Sequence, residues 1–375
     1  MLSCRRQALA ILVWVGRLLC VGAVSACTAS LNSADGQGES GGEARLAAAS
    51  LALQLAPLTG QDEAVPLPRE RGFKIETLLT PTQLPISENG ALTSSGRFFV
   101  AAANPPLYQI LEVVSTPYGY ETNVIVEDDD CMFGGLVAAD VDLYSVCTGT
   151  GEGDGARSQL IYIHFDEYGA AHEERTYLDG TPGLTHYNGM EVGPDGVLYI
   201  SNSVAGFSQD PAVMRIRVLE TSPLRIEQTP YVSPNVLSAL PNNGGVLFPN
   251  GLRVLDDSLL LVRGVDVVRM PLLASGEVEQ VTAIYKGPGL PTIDDFTIAL
   301  GHMWFAVVNT FGVVSRTLAP SWLVVTDLEG NVERQLTLNF IPSSTTMTDG
   351  TLFGPNALIV TSFFDGGLYR VTWSQ

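Results

Sequence analysis

Four oxygen-bearing residues, Glu88, Asn188, Asn250 and Asp294, each stand eleven positions before an apolar residue: Phe99, Tyr199, Leu261 and Phe305. Equal offsets place equivalent atoms at one end of equivalent strands, so a chain that closes on itself in repeats would gather all four side chains around one axis. Two carboxylates and two carboxamides make a hard-oxygen set suited to Ca²⁺, with Mg²⁺ or Mn²⁺ as substitutes.

The segments that carry them are alike. They read ENGALTSSGRFFVA, NGMEVGPDGVLYIS, NGLRVLDDSLLLVRG and DDFTIALGHMWFAV. Each is an apolar alternation, a polar turn and a second apolar strand. FGGLVAADVDLYSV from Phe133 and TMTDGTLFGPNALIVTS near the end of the chain extend the series without a metal-type residue, which puts Phe133 and about Thr348 in the corresponding slots. Unit starts at 88, 133, 188, 250, 294 and about 345 are spaced as four-stranded propeller blades are. The spacing predicts an all-β fold, a six-bladed β-propeller.

In these segments, residues 70 to 375 resemble the SMP-30/gluconolactonase/LRE-like group of six-bladed propellers, and more distantly paraoxonase and strictosidine synthase-like proteins. The specific parts are YNGMEVGPDGVLYISNS, FPNGLRV, LPTIDDFTIALGHMWFAV and VTSFFDGGLYRV. The resemblance implies that Glu88, Asn188, Asn250 and Asp294 hold a catalytic divalent metal in the central tunnel. It further implies hydrolysis of a small lactone or ester, with Asp294 as ligand and as base or nucleophile.

Charge narrows the partners. The chain carries a formal −20, and about −23 without residues 1–26, which hold Arg5, Arg6 and Arg17 and no acid. Phosphate backbones would be repelled, so nucleic acid is excluded, whereas a cation in an acidic tunnel is electrostatically natural. A monomer is expected. Thirty-eight Gly and 22 Pro favour turns over helices.

Residues 1–26 read as a targeting segment: Arg5 and Arg6, then an apolar run from Ala8 to Val24 interrupted at Gly16 and Arg17. The run ends in Val24, Ser25, Ala26 and Cys27, which is similar to a bacterial lipobox. Cleavage before Cys27 would leave a lipidated cysteine anchoring an extracytoplasmic protein to the cell membrane or the outer membrane. An ordinary secretory peptide with an incidental Cys is the alternative. Residues 27–67 read as a polar tether and 68–375 as the propeller. Cys131 and Cys147 are left in the folded part, either bridged across the second unit's first hairpin or as two buried thiols.

Ring closure also has a sequence signal. The last unit ends at Thr372 after three strands, while GFKIETLL (residues 72–79) precedes the first unit and has no other partner, so it is expected to supply the missing outer strand.

Several residues admit a plainer account. Asn-Gly at 188 and 250 also suits turns. His186, two residues before Asn188, is a general-base candidate or a loop histidine. Strand alternation should turn Asp295 away from the axis. His164 and His302 read as structural, EDDD at 127–130 as a solvated turn, and no GxSxG nucleophile elbow exists. Two function classes remain: a Ca²⁺-dependent lactonase or esterase, and a non-catalytic propeller that binds a small molecule or protein partner around a structural cation.

Overall fold

The computed structural model describes residues 73–373 apart from 105–106, 151–152, 183–184, 195, 206–209, 242–246, 288–291, 310–319, 356 and 364. The targeting segment, Cys27 and the tether lie outside the described residues.

Among the described residues, twenty-four strands form six four-stranded antiparallel sheets. The chain enters on β1 (Phe73–Leu79). Blade 1 is β2 (Ser87–Leu92), β3 (Phe98–Asn104), β4 (Leu107–Thr116) and β5 (Gly119–Asp128), and blade 2 is β6 (Cys131–Ala139), β7 (Asp142–Gly149), β8 (Gln159–Phe165) and β9 (Ala171–Tyr177). Blade 3 has β10 (Tyr187–Val192), β11 (Leu198–Asn202), β12 (Val213–Thr221) and β13 (Leu224–Val232). A short helix α1 (Pro234–Ser238) leads to blade 4, β14 (Leu252–Leu255), β15 (Ser258–Val262), β16 (Asp266–Pro271) and β17 (Thr282–Lys286). Blade 5 is β18 (Thr292–Ala299), β19 (His302–Val308), β20 (Ser321–Thr326) and β21 (Val332–Leu338), and blade 6 is β22 (Thr345–Met347), β23 (Ala357–Thr361) and β24 (Leu368–Trp373) with β1 at its outer edge. The protein is a six-bladed β-propeller closed by its N-terminal strand.

Why these sequences make blades is clearest on the second strand of each sheet. FFVAAA, LYIS, SLLLV and MWFAVV are apolar at successive positions because both faces are covered. Phe98 packs toward blade 6 and Phe99 toward blade 2; Leu260 packs toward blade 5 and Leu261 toward blade 3; Trp304 packs toward blade 6 and Phe305 toward blade 4. The buried apolar residues therefore fall into six clusters, one at each interface between neighbouring blades. Tyr199, Trp304 and Phe305 belong to these clusters.

Each first strand carries the same irregularity: two of its residues face one residue of the second strand. The pairs are Glu88–Asn89, Gly134–Gly135, Asn188–Gly189 and Asp294–Asp295, read from the ladder registers. Asn250–Gly251 faces Val262, and Ser343–Ser344 faces Thr361, through matching backbone hydrogen bonds of 2.9–3.1 Å. Two slot expectations are corrected by this. Phe133 pairs with Cys147 and packs between blades 1 and 2, so the blade 2 position belongs to Gly134. In blade 6 the position is Ser343 rather than Thr348, because the connection from Met347 to Ala357 is longer than in the other blades. The shared offset of eleven also conceals a difference. Phe99 and Tyr199 pair three residues beyond Glu88 and Asn188, whereas Leu261 and Phe305 pair two beyond Asn250 and Asp294.

Cys131 and Cys147, on adjacent strands of blade 2, are joined by a disulfide with Cα atoms 5.4 Å apart. Arg263, 1% exposed, is ion-paired with Asp266 and donates to the carbonyls of Leu237 at 2.6 Å and Leu240 at 3.1 Å. That contact fixes the residues following α1 against blade 4. No helix among the described residues is long and apolar enough to cross a membrane.

Candidate functional site

The bulges collect polar residues at one end of the tunnel. A bulge re-aims a side chain that regular alternation would bury between blades. Glu88 is bonded to the Asn188 side chain, and Asn250 donates its Nδ2 to Asp294 Oδ1. Glu88 and Asp294 are near enough to repel one another. All four residues come from separate blades, and Glu88, Asn188 and Asn250 are all less than a tenth exposed. Asn89 joins them, donating to Gly134 O at 3.1 Å and to Asn188 Oδ1 at 3.4 Å.

The glycines beside the asparagines have a reason other than turn formation. Neither Gly189 nor Gly251 has a positive φ. A Cβ on Gly189 would come within 2.1 Å of Asn250 O, and one on Gly251 within 2.2 Å of Asp295 Oδ1. Asn-Gly is here a bulge pressed against the next blade. Hydrogen bonds cross the same seams: Ser201 Oγ donates to Asn250 O at 2.7 Å, and Ser343 Oγ to Glu88 O at 3.0 Å.

Asp295 departs from expectation. Alternation would have turned it away, but two successive residues occupy the bulge, and its carboxylate stays beside the cluster, 4% exposed. Arg253 Nη2 holds its Oδ2 at 2.8 Å, while Oδ1 is buried without a hydrogen bond. Arg253 Nη1 also lies 3.9 Å from Glu191. The sequence carried an unused signal for this pair. NGMEV and NGLRV align, and the aligned fourth residues are Glu191 and Arg253, opposite charges at one level of adjacent blades.

Burial dominates the electrostatics. It pushes Glu88 up to about 7, aided by Asp295 and opposed by the bond from Asn188. Asp294 is raised well above the usual carboxylate range by burial, then by Glu88 and Asp295, against the Asn250 bond. Burial also raises Glu191 to about 7 against the pull of Arg253, and Asp295 is raised by burial despite the same guanidinium. His186 donates its backbone N–H to Asn202 Oδ1 at 3.1 Å, and burial lowers its imidazole to about 4, leaving it neutral at pH 7. His302 opens β19 and pairs with Glu333 at 2.8 Å, and His164 stacks on His172 with ring centroids 5.1 Å apart.

No group of three His, Cys, Asp or Glu among the described residues forms a metal-holding set. The set present is of another kind, two carboxylates with two carboxamides. It fits a hard cation chemically: oxygen donors only, carboxylates whose charged forms are disfavoured by burial and by each other, and an orphaned carboxylate oxygen alongside.

Solved structures with this fold include a luciferin-regenerating enzyme, 12% identical over 80% of this chain and 95% of its own, with a TM-score of 0.53. A protein described as a gluconolactonase is 14% identical over 81% of this chain and 93% of its own, with a TM-score of 0.54. The chain has the fold of the SMP-30/gluconolactonase/LRE-like propellers. No family model matches the sequence, and no curated protein matches it.

Proposed function

We propose that this chain is a Ca²⁺-dependent hydrolase of small lactones or esters, anchored outside the cytoplasm through a lipid on Cys27. The observation that carries the reading is that four of the six equivalent bulges carry Glu88, Asn188, Asn250 and Asp294, with Glu88 bonded to Asn188, Asn250 to Asp294, and the two carboxylates close enough to repel.

Glu88 and Asp294 would supply charge to the ion and Asn188 and Asn250 neutral oxygens. Bound Ca²⁺ would polarise the substrate carbonyl and stabilise the negative charge that grows on its oxygen. Asp294 would hold the ion and accept a proton from the attacking water. His186, buried and neutral at pH 7, is the second candidate base. Arg253 engages both Asp295 and Glu191, which leaves Glu88 and Asp294 as the carboxylates for the ion. The disulfide in blade 2 supports an oxidising compartment.

Metal analysis of the purified protein, with a lactone and ester panel assayed with and without chelator, tests the reading. Asp294→Asn should abolish turnover and keep the fold, while Asn250→Ala should weaken Ca²⁺ by about tenfold or more. Turnover unchanged in both variants would defeat it.

A further inference from the structure

The tunnel end that holds the cluster fixes the direction of every strand. First strands begin at that end, so the turns between first and second strands, and between third and fourth strands, all lie at the opposite end. Nine large apolar side chains are exposed among the described residues, and six of them sit at or beside those far-end turns. Tyr118 is 96% exposed, Tyr168 86%, Leu300 60%, Leu219 58%, Val332 57% and Val141 44%, and together they come from blades 1, 2, 3 and 5. Tyr177 lies toward the cluster end, while Ile75 and Val124 lie along outer strands. Exposed apolar residues scattered singly over a surface need no explanation. Their gathering at one end does.

The chain itself points to what covers that end. β1 runs from the far end toward the cluster end, antiparallel to β24, and Phe73 pairs with Trp373. The first described residue, Phe73, therefore stands at the end of the propeller where the apolar tips lie.

We infer that this face rests on a zwitterionic lipid surface and that the carboxylate-lined mouth opens away from it. The inference stands on the proposed anchor at Cys27. Once anchored, the domain meets the bilayer at high effective concentration, so a few side chains suffice to orient it. Tyrosine suits the headgroup layer, where its ring is buried and its hydroxyl stays wet. Asp140, Asp166, Asp256 and Asp327 occupy the same turns, which disfavours anionic lipid and suits the ammonium of ethanolamine or choline headgroups.

The test is hydroxyl-radical footprinting of the full chain, purified from membranes and reconstituted in phosphatidylethanolamine/phosphatidylcholine vesicles, against the Cys27→Ser chain in solution. Oxidation of Tyr118 and Tyr168 should fall about fivefold on vesicles while that of Tyr177 is unchanged, and added phosphatidylglycerol should relieve the protection. A chain on vesicles whose Tyr118 and Tyr168 react as in solution overturns the inference and leaves the anchor standing. Protection seen in native membranes but absent on pure lipid overturns it in favour of a protein partner. A chain never recovered with membranes overturns the anchor and this orientation together.

Discussion

A carboxylate driven into a protein interior without a cation is a cost that pH can expose, and Glu88 is the residue to read it on. Its ordinary value of 4.5 rises to about 7 in the fold, with burial as the main cause. For an acid raised on folding, the neutral form is at home and the charged form is not. The metal-free domain therefore suffers no penalty from Glu88 below about pH 4.5 and loses stability as pH climbs through 7. A shift of that size corresponds to about 3 kcal/mol. Glu88→Gln should accordingly stabilise the metal-free protein by about that amount at pH 7 and by nearly nothing at pH 4.5, as measured by thermal melts across pH. Ca²⁺ should narrow the gap by favouring the charged wild-type residue. A variant no more stable than wild type at pH 7 would mean that Glu88 is not held as described. His186 acts oppositely, since a base lowered to about 4 weakens the fold as pH drops below its ordinary 6.5, which is why the variant comparison is more informative than the wild-type curve alone.

At the level of the strand, the bulge is the device that turns a β-hairpin into part of a binding site. Its second position is glycine in blades 2, 3 and 4, where the next blade's backbone or a carboxylate occupies the space of a side chain. Gly189→Ala sets a methyl against Asn250 O and should cost about 1–3 kcal/mol while loosening the Asn188–Asn250 seam. Gly155→Ala, with nothing within 4 Å, is the matched control. Equal melting temperatures for the two variants would refute the close approach. The bulges also explain what was legible in the sequence. Glu88, Asn188, Asn250 and Asp294 could be grouped because each opens the bulge of its blade, although the hairpins that follow differ by one residue in length. Phe133 and Asp295 were misplaced because an extra residue shifts the register by one and alternation no longer tells which side a residue faces, and Thr348 because the turn of blade 6 is longer than the others. Arg253 and Glu191 were within reach only by aligning one blade against its neighbour.

A ring of blades has no edge until the chain must begin and end, and there the whole molecule depends on β1. Its ladder to β24 runs from Phe73–Trp373 to Leu79–Leu368. Phe73 stands 6.4 Å edge-on from Trp304 and 6.1 Å from Trp373, and Leu79 is fully buried between blades 6 and 1. The Glu76–Arg370 pair, at 3.1 and 2.6 Å, is reached by solvent and contributes little by comparison. Closure therefore rests on backbone pairing and on these two apolar side chains. Removing residues 72–79 would leave β24 as an open edge and strip the cover from Leu368, exposing a strand that invites pairing with another copy. The melting temperature should fall by about 10 °C or more, and the truncated chain should self-associate. Glu76→Gln should leave both properties near wild type, which separates loss of the strand from loss of the ion pair. An undiminished melting temperature after the truncation would mean that the ring is held shut elsewhere. Because every blade's bulge is braced by the next, the same truncation should also weaken Ca²⁺ at the distant cluster, and calorimetric titration of the truncated and full chains would reveal whether closure and site are one cooperative unit.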